Sequence, residues 1–363
     1  YWIDGILKQS LYHQTLIALG KHTMDEAVEP PWSSTINLPR QRQQLQLNNS
    51  RIETVFDATG LLLILGEPGS GKTIMLLELA SILIERAAVN SKERVPIVLN
   101  LSSWKISQTL MEWMIENLSS MYEVPNKIAR SWLDKGYIIP LLDGLDEVET
   151  ENQPDCVEAI NKYINEANPP GLIVCSRLKE YLWLPERLKM NGAICIEPLN
   201  KDQINNYFAI FGTELESLRT TIQDDIALQE LAQSPLMLNI MSIAYQSTNP
   251  ELFRDSTPSV EERRKLISDA YVEKMFQRKT SLNQDFLKEK VRGWLSWLAQ
   301  GMTKQSQSVF SIESLQPNWL NSSKQILAYG GVLALIYDLF SLLLYLVTTF
   351  GILIFGVDTW FRT

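Results

Sequence analysis

The sequence predicts an α/β protein: a parallel sheet flanked by helices, then a helical unit, then an apolar helix long enough to cross a membrane. Three observations carry that reading. Short apolar runs alternate with helical segments from residue 45 to residue 198, the pattern becomes wholly helical after Pro198, and residues 339 to 357 run without a charge. Strands buried on both faces read as continuous apolar runs, and their alternation with helices implies parallel connections.

Residues 1 to 44 form an N-terminal segment in which Trp2, Ile3, Ile6, Leu7 and Leu11 suggest a helix and "EPPWSS" a turn into extended chain. Leu61 to Leu65 is the first buried strand. Beyond the glycines that follow it, Ile74, Leu77, Ala80, Ser81 and Ile84 recur at helical spacing. The second strand is Val95 to Leu101, "TLMEWMIENLSSMY" is a helix, and Tyr137 to Asp143 is the third strand. "CVEAINKYINEA" is a helix, "GLIVCS" the fourth strand and "AICIEPL" the fifth. Residues 199 to 322 contain only helical segments with turn signals between them. No internal repeat appears.

The chemistry is concentrated where the first strand meets its helix. Gly66-x-x-x-x-Gly71-Lys72-Thr73 matches a phosphate-binding loop, and its place between a strand and a helix is the context that motif requires. Glycines let successive backbone N–H groups converge on an anion, and the helix N-terminus adds partial positive charge. Gly66, Glu67, Pro68, Gly69, Ser70, Gly71, Lys72, Thr73 and Ile74 are therefore the predicted nucleotide contacts, with Lys72 on the β- and γ-phosphates. The fold class sharpens to a P-loop NTPase sheet, with ATP or ADP and Mg2+ as its ligands.

Such a site needs an acidic residue at the end of a neighbouring strand. Asp143 closes the third apolar strand and is the candidate, sharing the magnesium ion with the Thr73 hydroxyl. Asp146 and Glu147 lie just beyond, where one of them can orient an attacking water as general base.

Composition narrows the partners. A net charge of -9 gives no general attraction to nucleic acid, so none is expected. Cys156, Cys175 and Cys195 are widely spaced and only His13 and His22 could join them, which argues against zinc and fits reduced, packed thiols. Tyr1 at the start, and an end just past an apolar run, suggest an excerpt of a longer chain.

Leu339 to Val357 would span about 28 Å as a helix, close to the hydrocarbon thickness of a bilayer. Trp360, Phe361 and Arg362 follow as interface anchors, and Asp338 sits at the membrane edge. A rival layout starts the crossing near Ile326 and buries Asp338 midway. The NTPase part is expected on the cytoplasmic side, where ATP and magnesium are.

Taken together, "GEPGSGKT", "LLDGLDEV" and "IVCSR" resemble the NACHT group of signal-transducing (STAND) NTPases over roughly residues 45 to 320. "NLSSW", "AINKY", "SPLML" and "SIESLQPNWL" resemble bacterial members joined to membrane helices. The resemblance implies a NACHT domain over 45 to 198, a helical and winged-helix-like domain over 199 to 322, and a membrane segment over 323 to 363. It implies that Arg177 touches the terminal phosphate and that Pro235 packs on the adenine ring. It also implies a switch that binds and slowly hydrolyses ATP to control homo-oligomerisation and signalling at a membrane, with bacterial defence as one setting. A continuously cycling motor or transport ATPase, and a membrane-anchored scaffold without turnover, are the alternatives. The sequence departs from the family at one point: no histidine follows residue 22, so a histidine latch on bound ADP is absent or replaced. The Asn-Lys-x-Asp pattern that reads guanine does not occur either, which leaves adenine preferred.

Overall fold

A computed structural model describes residues 21–24, 28, 51–211, 215–245, 259–278, 288–304, 310, 319 and 323–355. The expected helix around Trp2 to Leu11, the "EPPWSS" turn, most of "SIESLQPNWL" and the anchors Trp360 to Arg362 lie outside these residues. The chain divides into two compact units, Tyr1–Trp294 and Leu295–Thr363.

The first unit is built on a six-stranded sheet. Its strands are β1 (Lys21–Thr23), β2 (Leu61–Gly66), β3 (Val95–Asn100), β4 (Ile138–Asp143), β5 (Leu172–Arg177) and β6 (Gly192–Ile196). Their order across the sheet is β1-β6-β2-β5-β4-β3. Strands β2 to β6 are parallel, and β1 adds to the β6 edge in the antiparallel sense. The five parallel strands are those predicted. The short edge strand was not foreseen, because three residues carry no alternation to recognise.

Continuous apolar runs are needed because both faces are covered. Leu61, Leu63 and Leu65 pack with α3 (Leu110–Tyr122) and α5 (Gln153–Ala167), whereas Leu62 and Ile64 pack with α1 (Ile52–Thr59) and α2 (Lys72–Val89). The helix α4 (Asn126–Asp134) contributes only Ala129 and Leu133 to the core, a period too short to stand out in the sequence. Register then aligns the carboxyl ends of the strands: Gly66 pairs with Arg177, and Asn100 with Asp143.

After the short α6 (Leu178–Leu182) and β6, the chain becomes helical as predicted. Helices α7 (Lys201–Phe211), α8 (Glu216–Asp224), α9 (Ile226–Ala232), α10 (Pro235–Tyr245) and α11 (Val260–Arg278) share a core around Leu218, Leu228, Leu238, Met241 and Ile267. Asp225 caps α9 by accepting the Leu228 N–H at 3.0 Å, and it also meets the guanidinium of buried Arg263 on α11 at 2.6 Å. One carboxylate thus ties the N-terminus of α9 to α11.

Helix α12 (Lys288–Lys304) leads into the second unit, where Trp319 packs on Trp297 and Phe310 at centroid distances of 5.6 and 5.9 Å. A Cβ on Gly301 would come within 2.5 Å of the Trp319 ring, so the glycine admits the indole. Helix α13 (Ser323–Phe355) is 33 residues long, and its stretch Ile326–Leu346 is long and apolar enough to cross a membrane. It passes Asp338 without a break, so the start of either layout read from the sequence falls within one helix, while Gly356 and Val357 lie outside the described residues.

Removing Arg263 would leave Asp225 charged and largely desolvated. Arg263→Ala is expected to lower stability by about 3 kcal/mol, measured by urea unfolding followed through helical circular dichroism. A loss below about 0.5 kcal/mol, the usual range for surface changes, would contradict the structural role given to this pair.

Candidate nucleotide site

The loop between β2 and α2 owes its shape to its glycines. Gly69 and Gly71 hold φ of 73° and 98°, a region that side chains disfavour. A Cβ on Gly66 would approach the Ser70 hydroxyl to 2.6 Å. Gly71 caps α2 without any side chain accepting from the first turn, which leaves the leading N–H groups of the helix facing the loop. Lys72 curls back, donating from Nζ to the carbonyls of Gly66 at 2.9 Å and Glu67 at 3.0 Å. Burial pulls its pKa below the usual lysine value, with Asp146 opposing that shift and Arg177 adding to it.

Asp143 stands two strands away, at the end of β4. It is buried, and its Oδ2 accepts the Thr73 hydroxyl at 2.7 Å. Burial pushes its pKa up to about 6; the Thr73 hydrogen bond and Lys72 pull the other way, while Glu147 and Asp146 add to the rise. Cys175, on the intervening strand β5, is completely buried and its thiol is raised well above its ordinary range by desolvation and by Asp143. It packs as a small hydrophobe beneath the site.

The two acids after Asp143 have different surroundings. Asp146 receives both the backbone N–H of Arg177 at 2.9 Å and its Nε at 2.8 Å. Burial raises the Asp146 pKa, and the Arg177 charge counters it. Glu147 instead accepts Nδ2 of Asn100 at 2.8 Å, and a Cβ on Gly144 would meet its carboxylate at 2.5 Å. Asn100 is held in turn by the Ser102 N–H, which donates to its Oδ1 at 2.8 Å and so fixes which way the amide points. Sequence reasoning missed Asn100. The available signal was a polar residue ending an apolar strand, at the same level as Asp143 in the next one.

The helical part of this unit reaches the loop as well. Pro235 is the buried first residue of α10; its neighbours contact the Gly69 carbonyl, Ser234 through its hydroxyl at 3.3 Å and Leu236 through its N–H at 3.4 Å. A Cβ on Gly69 would meet Ser234 and Leu236 at 3.0 and 3.1 Å. The site residues named from the sequence other than Pro235 therefore lie around the ends of β2, β4 and β5 or in the loop between β2 and α2, and Pro235 lies between two residues that touch that loop.

These groups fit an anionic ligand with a divalent cation. The buried Ser70 hydroxyl has no hydrogen-bond partner among the described residues, Lys72 is partly desolvated, and the glycines leave space that a Cβ would fill. Thr73 and Asp143 would hold the cation. Magnesium is an ion usually bound by one or two protein groups and the phosphates of its nucleotide, and Thr73 with Asp143 would supply the protein's share.

Sheet, loop and acid together define a P-loop NTPase. Residues 60–214 match the family model for the NACHT domain. Solved structures with a similar course include the Orc1 protein of Aeropyrum pernix in complex with DNA, at 14% identity and TM-score 0.36, covering 66% of this chain and 77% of that one. Cdc6p from Pyrobaculum aerophilum matches at 13% identity and TM-score 0.36, covering 86% and 90%. The Walker-type ATPase of Pyrococcus abyssi matches at 14% and 0.35, covering 63% and 74%. The search of curated proteins finds no match.

The Asp143 shift has a testable sign. Its folded pKa of about 6 lies above the ordinary 3.8, so above pH 6 the ionised form weakens the nucleotide-free fold, and below 3.8 both states are protonated and the effect vanishes. Asp143→Asn is expected to stabilise the nucleotide-free protein by about 2 kcal/mol at pH 8, with the gain gone by about pH 4. Urea titrations at the two pH values check this, and a destabilised variant at pH 8 would contradict it.

Proposed function

We propose that this NTPase is a nucleotide-dependent switch, in which ATP and ADP favour different arrangements of the helices α7–α11 against the sheet. The observation that carries the reading is the pair of contacts from Ser234 and Leu236 to the Gly69 carbonyl, because the phosphate-binding loop cannot adjust to a ligand without α10 feeling it. A ligand moves such an equilibrium only by binding the two states unequally; inverting a 1:99 population takes a difference of roughly 10⁴-fold.

The roles follow from the geometry. The loop N–H groups and Lys72 bind the phosphates, and Lys72 exchanges its carbonyl partners for phosphate oxygens. Thr73 and Asp143 would hold magnesium, which when bound would neutralise phosphate charge. Glu147, steadied by Asn100, orients the water and accepts its proton. Pro235 opens α10, whose neighbouring residues touch the loop, and provides an apolar surface for adenine. Slow hydrolysis then returns the switch to its ADP form, and a change of oligomeric state is the output.

The stretch Ile326–Leu346 supports a membrane location for that output, with the NTPase part on the cytoplasmic side, where ATP is supplied. Its apolar side chains are exposed along its length, as a lipid-facing helix requires.

Lys72→Ala is expected to reduce ATP affinity at least 100-fold by calorimetry, whereas Glu147→Gln keeps that affinity and slows turnover about 100-fold. Unchanged affinity in the first variant would remove the site. For the switch, the mass of the detergent-solubilised protein is expected to differ between ADP and a non-hydrolysable ATP analogue. Equal masses would contradict switching by assembly.

A further inference from the structure

Two acids follow Asp143, and the sequence offers either as the base. Their contacts separate them. Both oxygens of Asp146 are engaged by one residue: Oδ1 accepts the Arg177 backbone N–H at 2.9 Å, and Oδ2 accepts its Nε at 2.8 Å. The Asp146 side chain is only 5% exposed, against 43% for Arg177. A carboxylate so enclosed has little room for a water, and it faces a permanent cation that favours its charged form.

The same contacts dictate what Asp146 does for Arg177. A free arginine side chain samples many rotamers, but here backbone and side chain are clasped by one rigid carboxylate. The clasp takes the Nε edge. Among the described residues the Nη end makes a loose contact to Glu180 at 3.6 Å. Register places Arg177 directly beside Gly66, the first residue of the phosphate-binding loop, and its charge is felt at Lys72. A guanidinium presented there would meet a third phosphate group and would gain little from two.

We infer that Asp146 is the positioning residue of Arg177, and that through this clasp it sets the preference of the site for a nucleoside triphosphate over a diphosphate. The inference rests on reading residues 66–73 as the phosphate site. It assigns the proton-accepting role to Glu147 alone and makes the carboxylate between Asp143 and Glu147 part of ligand discrimination.

The test is a thermodynamic cycle. Affinities for a non-hydrolysable ATP analogue and for ADP are measured by calorimetry in the unmodified protein, Asp146→Ala, Arg177→Ala and the double variant. Arg177→Ala is expected to cut the triphosphate-to-diphosphate affinity ratio about tenfold, as loss of a charge-assisted contact does. Asp146→Ala is expected to cut it nearly as far with ADP affinity held within about threefold, and the double variant to match the single ones, since the two residues act as a unit. A ratio that Asp146→Ala leaves intact, or losses that simply add in the double variant, would overturn the inference. Should the alanine variant not fold, Asp146→Asn, which keeps shape and one acceptor, takes its place with the same criteria. An unmodified protein that binds neither nucleotide would instead sink the phosphate-site reading itself.

Discussion

A carboxylate buried at the end of a parallel strand is the constraint on which the rest of this structure turns. Asp143 has given up water for protein partners, chief among them the Thr73 hydroxyl at 2.7 Å, and desolvation lifts its pKa to about 6. Such a group is costly unless a cation arrives. Lys72 faces the complementary problem, a cation drawn into the same region and satisfied by two carbonyls of its own loop. Acid and base are thus each provisionally paired, and a magnesium–nucleotide complex would relieve both at once.

Sheet order explains how so small a region gathers so many groups. Because β5 lies between β2 and β4, the loop, Arg177 and Asp143 stand side by side at the carboxyl ends of three adjacent strands, and Asn100 joins from β3. No strand needs to bend toward the site. What remains adjustable is the loop itself, and its Gly69 carbonyl is already bonded to the start of α10. Chemistry at the phosphates and the placing of the helical bundle therefore share one short piece of backbone, which is the physical basis of the proposed switch.

The parts of this arrangement legible in the sequence are those set by local pattern. Leu61 to Leu65 had to be a strand buried on both faces, and the glycine spacing before Lys72 had to be a tight loop, because each signal lies within a few residues. Asp143 was legible as well, since a lone carboxylate closing an apolar strand demands a partner. Asp146 and Glu147 could not be told apart, because what distinguishes them comes from Arg177, 31 residues onward, and Asn100, 47 residues back. Strand order and the three-residue β1 were equally hidden, being properties of pairing rather than of any one segment. Pro235 was named through family resemblance, yet the residues that touch the loop are its neighbours Ser234 and Leu236.

The central claim, that buried Asp143, its pKa raised to about 6 by desolvation, awaits a magnesium–nucleotide complex, can be read as proton release near pH 6. Calorimetric titration of the unmodified protein with magnesium-ADP at pH 6, repeated in buffers of different ionisation enthalpy, is predicted to give saturable binding with roughly half a proton released per site, falling toward zero at pH 8. Saturable binding whose heat is the same in every buffer at pH 6, or no binding at all, would contradict the account.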